Sequence, residues 1–171
     1  IGEVLEFTRP SRSPVKTERT NFGQFVEELI GDLRIEAANK AVTIEMQTPP
    51  AIMVPIDRQR LPHVFTNIIH NAIDSMPHGG RIVLRFEVTD REVATHVEDL
   101  GAGISPDIVG RLFEPFDTHG KALGTGLGLS ICKRIVEDHK GTISARNKRG
   151  RGAVFTFALP RKASRGARLK S

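Results

Sequence analysis

The sequence has little cysteine and no long apolar run, and each absence excludes a class of protein. Cys132 is the only cysteine among 171 residues, so no internal disulfide can form, which suits a reducing compartment. We expect Cys132 to be a small buried side chain rather than a reactive thiol. No apolar run approaches the roughly 20 residues that cross a bilayer, and residues 1–10 have no leader pattern. We therefore expect a cytoplasmic domain, with any membrane attachment through segments absent from this chain.

The basic residues in excess are concentrated at one end of the chain. The formal net charge is +5, from 25 Lys and Arg against 20 Asp and Glu. Residues 161–171 contain no acid and five basic residues: Arg161, Lys162, Arg165, Arg168 and Lys170. The remaining chain is therefore neutral, and we expect no nucleic-acid partner. A basic tail with Gly, Ser and Ala is usually solvated, so we predict that residues 161–171 are disordered.

Apolar periodicity predicts three main helices and six strands. The predicted helices span 21–39, 57–76 and 126–139, with a short one at 106–113; the strands span 42–46, 51–56, 82–88, 93–97, 142–146 and 153–159. Asn21 is the predicted N-cap of the first helix, and Pro62 predicts an irregular start of the second. Because strands arrive in hairpin-like pairs after helices, we predict an α+β fold. It would be a two-layer sandwich, with a mixed, mostly antiparallel sheet and about three helices on one face.

Helix-breaking residues and the basic tail predict the domain organisation. Residues 1–14 are interpreted as the end of a helix followed by a Ser/Pro-bearing linker, residues 15–160 as one domain, and residues 161–171 as the tail.

The predicted second helix carries two asparagines on one face. Asn67 and Asn71 are four residues apart, and Asp74 follows one turn later. An amide oxygen is a neutral, hard ligand that suits Mg²⁺, which takes its other ligands from water and phosphate. Standing alone, the two asparagines would be equally well explained as solvent-facing residues.

A second motif follows a predicted strand. Residues 99–104 read Asp-Leu-Gly-Ala-Gly-Ile. Gly101 and Gly103 allow the backbone to approach a flat ligand, and the Asp99 carboxylate can accept a hydrogen bond from an exocyclic amine such as that of adenine. This motif alone is a weak signal and is more often a simple turn.

A third motif, residues 124–130, places three alternate glycines at the start of an amphipathic helix. Such a helix N-terminus offers free N–H groups and a positive dipole end to phosphate. The spacing fits neither the dinucleotide fingerprint nor the P-loop. Between this motif and residues 112–116 lies a polar segment that we interpret as a lid over bound nucleotide. His119 and Lys121 are the lid cations that could reach terminal phosphates.

Together these segments resemble a known family. Residues 67–72, 99–104, 112–116 and 124–130 resemble, in order and spacing, the N-box, first glycine box, F-box and second glycine box of sensor histidine kinases, within the GHKL ATP-binding superfamily. The resemblance covers about residues 20 to 160. It implies an Mg-ATP-binding catalytic domain that transfers the γ-phosphoryl group of ATP to a histidine on a dimerisation domain absent from this chain. It also implies a downstream response regulator, and a homodimer formed only through that missing domain.

The resemblance also implies roles for individual residues. Asn71 would coordinate Mg²⁺, Asn67 would support the metal and the phosphates, and Asp99 would bind the adenine amine. The other implied nucleotide contacts are Gly101, Gly103, Ile104 and Leu129 around the base, Gly124, Thr125, Gly126, Leu127 and Gly128 around the phosphates, and His119 and Lys121 in the lid. Asn67 and Lys121 are the implied catalytic residues. The lid has one residue more before its glycines than many relatives have. The assignment of Lys121 to the γ-phosphate therefore rests on an inexact alignment.

Departures from related families leave alternatives open. Hydrolytic relatives, the chaperone, gyrase and mismatch-repair ATPases, usually place a glutamate base where this chain has Asn67. An amide cannot accept that proton, so phosphoryl transfer is favoured over hydrolysis. A serine-directed relative and a nucleotide-binding module without catalysis remain alternatives. None of the six histidines has the setting of a phospho-acceptor, and residues 1–10 resemble the end of a dimerisation-domain helix. We therefore expect the chain to bind ATP without phosphorylating itself.

Overall fold

The computed structural model describes residues 14–115 and 128–163. In chain order the elements are β1 (Glu18–Asn21), α1 (Phe22–Ala38), β2 (Val42–Met46), β3 (Met53–Ile56), α2 (Leu61–Asp74), β4 (Gly80–Val88), β5 (Glu92–Asp99), a 3₁₀ turn (Val109–Arg111), α3 (Gly128–Asp138), β6 (Thr142–Asn147) and β7 (Ala153–Pro160). The predicted helix end before Pro10, the whole lid and most of the basic tail lie outside the described residues.

Five strands form the main sheet, in the order β2-β4-β5-β7-β6. The β2–β4 pair is parallel and the other three pairs are antiparallel. A separate two-stranded sheet pairs β1 with β3. Within residues 14–115 and 128–163, three helices and a mixed, mostly antiparallel sheet confirm the predicted α+β sandwich. No helix in the described part of the chain is long and apolar enough to cross a membrane.

The core lies between the helices and one face of the sheet. Along β5, burial alternates, so that Val93, Thr95, Val97 and Asp99 are buried and the residues between them are partly exposed. Phe65 on α2 is fully buried and packs edge-on against Phe157 of β7, with ring centroids 5.0 Å apart. Asp99 therefore occupies the last position on the buried face of a central strand, where the pattern places apolar residues.

The predicted start of α2 is wrong by four residues. The Asp57 carboxylate accepts hydrogen bonds from the N–H groups of Gln59 and Arg60, at 3.0 and 3.1 Å, and forms a turn that precedes the helix. The helix begins at Leu61, so Pro62 lies in its first turn, where proline is tolerated and an irregular start is not needed.

Two other elements differ from the sequence-based expectation. The short helix predicted at 106–113 is reduced to a 3₁₀ turn, because Gly110 lies within a segment too short to be stable as an isolated helix. The strand Glu18–Asn21 was not predicted, because it is polar and forms only by pairing with Met53–Ile56, far along the chain.

Candidate functional site

The site is organised around the carboxylate of Asp99 at the end of β5. Asp99 is 3% exposed. Its Oδ1 accepts hydrogen bonds from the N–H of Gly101 at 2.8 Å and from the N–H of Ala153 at 3.3 Å. The Ser75 hydroxyl lies between this carboxylate and the carbonyl of Ala72, to which it donates at 2.7 Å. An ionised carboxylate has about four acceptor positions, so at least one remains for a donor supplied by a ligand.

The electrostatic setting of Asp99 balances burial against nearby donors. Burial raises the pKa of Asp99 above its ordinary value of 3.8, whereas hydrogen bonds from Gly101 and Ala153 and the positive charge of Lys148 act to lower it. Lys148 begins the β6–β7 turn and also pairs with Glu98, with its Nζ 3.1 Å from Oε2. A buried carboxyl group that has a raised pKa and is held by backbone donors is a candidate for a functional site.

A close contact joins the first glycine box to the C-terminal end of α2. A Cβ atom built on Gly101 would lie 1.9 Å from Ser75 Oγ and 2.6 Å from Ser75 Cβ. Only glycine fits between the loop and Ser75, the C-cap residue of the helix. This contact places Asp99 beside the helix that carries Asn67 and Asn71.

A second contact joins α2 to the beginning of α3. The side-chain Nδ2 of Asn67 donates to the carbonyl oxygen of Gly128 at 3.3 Å. Cys132, one turn along α3, is fully buried, and its Sγ lies 3.8 Å from the carbonyl oxygen of Val64. The last glycine of the second glycine box therefore lies against the N-box helix, and Cys132 has the structural role expected from the sequence.

The other predicted site residues fall into two groups. Ile104 is buried, Leu129 is half-buried, and both pack against the core, as do Leu112 and Phe113 of the F-box. Gly103 has a φ of 80°, which favours glycine. His119, Lys121, Gly124, Thr125, Gly126 and Leu127 lie outside the described residues, so their roles stay predictions.

Sequence reasoning missed three residues that shape this site. Ser75 contacts Gly101 as described above. Asn147, at the end of β6, forms two hydrogen bonds with the backbone of Ile104. Gly152 has a φ of 91°, and a Cβ atom there would lie 1.9 Å from the Asp99 carbonyl oxygen. The glycine-containing turn before β7 was a visible signal for Gly152, whereas Ser75 and Asn147 act through contacts that no local motif indicates.

A surface depression of about 470 Å³ lies away from these residues. It is lined by Arg19, Met53, Asp90, Arg161 and Lys162. Asp90 belongs to the β4–β5 turn, so this depression lies at the opposite end of β5 from Asp99. It is therefore separate from the candidate site.

Comparison with known proteins identifies the family. Residues 56–163 match the family described as histidine kinase-, DNA gyrase B- and HSP90-like ATPases. The match covers more than half of the chain and includes Asn67, Asn71 and Asp99. The fold and the site define an ATPase-type nucleotide-binding domain, and this chain belongs to that family.

Among curated proteins, similar relatives include a sensor histidine kinase and a sporulation kinase. The sensor histidine kinase ZraS of Klebsiella oxytoca is 33% identical over 162 residues, which cover 94% of this chain and 34% of ZraS. Sporulation kinase A of Bacillus subtilis is 32% identical over 163 residues, covering 95% of this chain and 27% of that kinase. The chain therefore spans about a third or less of the length of these relatives.

Solved structures give the same family. The catalytic domain of the histidine kinase ThkA has a TM-score of 0.75 and 30% identity, covering 85% of this chain and 95% of that domain. Full-length ShkA in complex with AMPPNP has a TM-score of 0.78 and 25% identity, covering 95% of this chain and 36% of ShkA. ThkA in complex with the response regulator TrrA has a TM-score of 0.79 and 25% identity, covering 95% of this chain and 46% of that chain.

Proposed function

We propose that this chain is the Mg-ATP-binding catalytic domain of a two-component sensor histidine kinase. Its reaction would be transfer of the γ-phosphoryl group of ATP to a histidine on a dimerisation domain of the parent protein. The observation that carries this proposal is the buried carboxylate of Asp99, held by backbone donors beside the asparagine-bearing helix α2. The family match and the named kinases among the relatives support it.

Asp99 would recognise the adenine base. Its ionised carboxylate retains acceptor capacity after the Gly101 and Ala153 donors are counted. The exocyclic amine of adenine can donate a hydrogen bond to that carboxylate. Guanine has a carbonyl oxygen at the same ring position, and this oxygen and the carboxylate are both acceptors and would repel each other. The proposed site therefore prefers adenine over guanine nucleotides.

Asn67 and Asn71 would hold the metal. Asn67 donates its Nδ2 to the carbonyl oxygen of Gly128, which directs the amide oxygen to the other side of the group. Amide oxygens suit Mg²⁺, which usually completes its octahedron with water and phosphate oxygens. The side-chain oxygens of Asn67 and Asn71 on α2 therefore fit magnesium. When bound, the metal would neutralise charge on the phosphates.

The phosphates would lie at the beginning of α3. This helix begins at Gly128 and has no acid in its first turn. The backbone N–H groups and the positive dipole end of a helix N-terminus favour an anion. In this proposal Gly124 to Gly128 enclose the phosphates, and His119 and Lys121 of the lid supply the nearby positive charge.

Phosphoryl transfer requires alignment and charge neutralisation more than covalent help from the protein. Asn67 is a neutral amide and cannot act as the general base that hydrolytic relatives carry at this position. The partner histidine would supply the nucleophile. We therefore propose transfer to a partner domain rather than hydrolysis, with a response regulator as the next acceptor and the ATP-containing cytoplasm as the compartment.

Nucleotide binding is tested on the 171-residue chain by titration with ATP, in magnesium and in EDTA. We expect Asp99→Ala to weaken ATP binding about 10- to 100-fold, the value of a hydrogen bond to a charged group. Asn71→Ala should remove the magnesium dependence. His63→Ala is the matched control, because His63 is exposed on the same helix. Wild-type affinity in both site variants, with folding retained, would refute the proposed site.

Catalysis is tested by adding the histidine-bearing dimerisation domain of the parent protein and γ-labelled ATP. The proposal predicts acid-labile phosphate on that domain, as for phosphohistidine. Acid-stable phosphate on serine would indicate a serine-directed relative. Phosphate release without labelled protein would indicate a hydrolase, and binding without either product would indicate a nucleotide-binding module.

A further inference from the structure

The side chain of Asn147 holds the backbone of the first glycine box. Its Oδ1 accepts from the N–H of Ile104 at 2.6 Å, and its Nδ2 donates to the carbonyl oxygen of Ile104 at 2.8 Å. Both polar groups of Ile104 are thus bound by one amide from a residue 43 positions further along the chain. This pattern imitates the pairing that a neighbouring β-strand would provide.

The loop is shaped to receive this amide. Gly103 has a φ of 80°, and a Cβ atom built on it would lie 2.8 Å from Asn147 Oδ1. A side chain at residue 103 would therefore push the amide away from Ile104. Glycine at 103 and asparagine at 147 fit each other at close range.

Asn147 is also connected to Asp99 through the sheet. It pairs with Ala153 across β6 and β7, and the N–H of Ala153 donates to the Asp99 carboxylate. At the near end of the loop, the N–H of Gly101 donates to the same carboxylate. The loop from Gly101 to Ile104 is therefore fixed at one end by Asp99 and at the other by Asn147.

We infer that Asn147 is a positioning residue for base recognition, an inference that rests on the proposed ATP-binding function. It keeps the loop at residues 101–104 in the conformation that lets the Asp99 carboxylate meet the exocyclic amine of adenine. The role requires an acceptor and a donor side by side, because Ile104 presents both an N–H and a carbonyl oxygen. Aspartate retains the acceptor and loses the donor, whereas alanine loses both.

The test compares ATP with purine riboside triphosphate, which lacks the exocyclic amine. We expect Asn147→Ala to raise the Kd for ATP about tenfold. The affinity for the analogue should change much less, so the preference for ATP shrinks. Asn147→Asp keeps the side-chain shape and the acceptor for the Ile104 N–H, but it loses the donor. It should also reduce the preference for ATP over the analogue, and it replaces the alanine variant in this test if that variant fails to fold.

The matched control is Asn21→Ala. Asn21 is another asparagine whose side chain accepts a backbone N–H, that of Gln24 at 3.2 Å, as N-cap of α1. Its loss lowers stability without touching the glycine box. We expect Asn21→Ala to melt earlier and to keep the wild-type ratio of the two affinities. A purely structural role of Asn147 would give the same result in both alanine variants.

Amide hydrogen exchange gives an independent readout without nucleotide. The Ile104 amide should exchange faster in Asn147→Ala than in the wild type, and at the wild-type rate in Asn21→Ala. An ATP affinity within about twofold of wild type and an unchanged ATP preference in the Asn147 variants would overturn the inference alone. Failure of the wild type to bind ATP would overturn the proposed function, and this inference with it.

Discussion

Gly101 is the position where a single methyl group should damage both the fold and the proposed site. In Gly101→Ala the new Cβ would lie 1.9 Å from Ser75 Oγ, so the groups must separate by about 1.5 Å to reach the 3.4 Å of ordinary contact. Overpacking of this kind costs about 1–3 kcal/mol, or roughly 2–12 °C in Tm for a chain of this size.

The same displacement should weaken ATP binding. A hydrogen bond has little tolerance for a shift of that size, because donor and acceptor must lie about 2.7–3.2 Å apart. Since the Gly101 N–H binds the Asp99 carboxylate at 2.8 Å, moving the loop misplaces the group proposed to read the base. We expect the Kd for ATP to rise at least about tenfold.

Thermal unfolding and ATP titration measure the two effects on the same samples. Gly31→Ala is the matched control, because Gly31 is exposed within α1 and a Cβ there meets nothing within 4 Å. That change should stabilise the helix by about 0.5–1 kcal/mol and leave ATP binding unaltered. Adding Ser75→Gly removes the nearest two atoms in the clash and should partly restore Gly101→Ala. Wild-type Tm and wild-type affinity in Gly101→Ala would refute this reasoning.

Three further changes test separate parts of the account. Asp99→Asn keeps the Oδ1 acceptor but turns a donor toward the base, so ATP should bind weakly and guanine nucleotides relatively better in parallel titrations. Because the folded-state pKa of Asp99 is raised, its contribution to the free energy of unfolding falls as pH rises from 3.8 through that raised value. Urea unfolding at several pH values should therefore show that the difference in unfolding free energy between wild type and Asp99→Asn changes with pH. A difference that is independent of pH would contradict this prediction. Wild-type ATP affinity should fall as the pH drops through the raised pKa, because the protonated carboxyl accepts less well. His139 is buried, and its Nε2 accepts the N–H of Asp57 at 2.9 Å; His139→Phe leaves that donor without its partner and should cost about 1–3 kcal/mol in denaturant unfolding, whereas the exposed His63→Phe should change stability by less than about 0.5 kcal/mol. Phe65→Ala should cost about 3–5 kcal/mol in the same assay, and a loss under about 1 kcal/mol would show that the aromatic core is described wrongly.

Much of the fold followed from local patterns. Helix α1 was predicted to within a residue, because Asn21 is an effective N-cap and the apolar residues recur at helical spacing. The strand Val42–Met46 was predicted with its observed bounds, because apolar and polar residues alternate along it. Such signals are contained in a few neighbouring residues and need no knowledge of the rest of the chain.

The unpredicted strand β1 and the two missed site residues Ser75 and Asn147 have a common physical cause, since they depend on partners distant in sequence. The polar strand Glu18–Asn21 exists because β3 supplies its hydrogen bonds. In the site, Asp99 and Gly101 were found from their motif, whereas Ser75 and Asn147 were not. Those two residues act through contacts with a loop 26 or more positions away, and their identities as serine and asparagine give no local sign of the role.

The central claim is that Asp99, the asparagines of α2 and the beginning of α3 enclose one nucleotide. A crystal structure of the chain with Mg²⁺ and a non-hydrolysable ATP analogue tests it most directly. The account predicts the adenine amine about 2.7–3.2 Å from the Asp99 carboxylate, the metal on the Asn71 amide oxygen, and the phosphates at the N-terminus of α3. A nucleotide bound instead in the depression lined by Arg19 and Arg161, with its base away from Asp99, would contradict it.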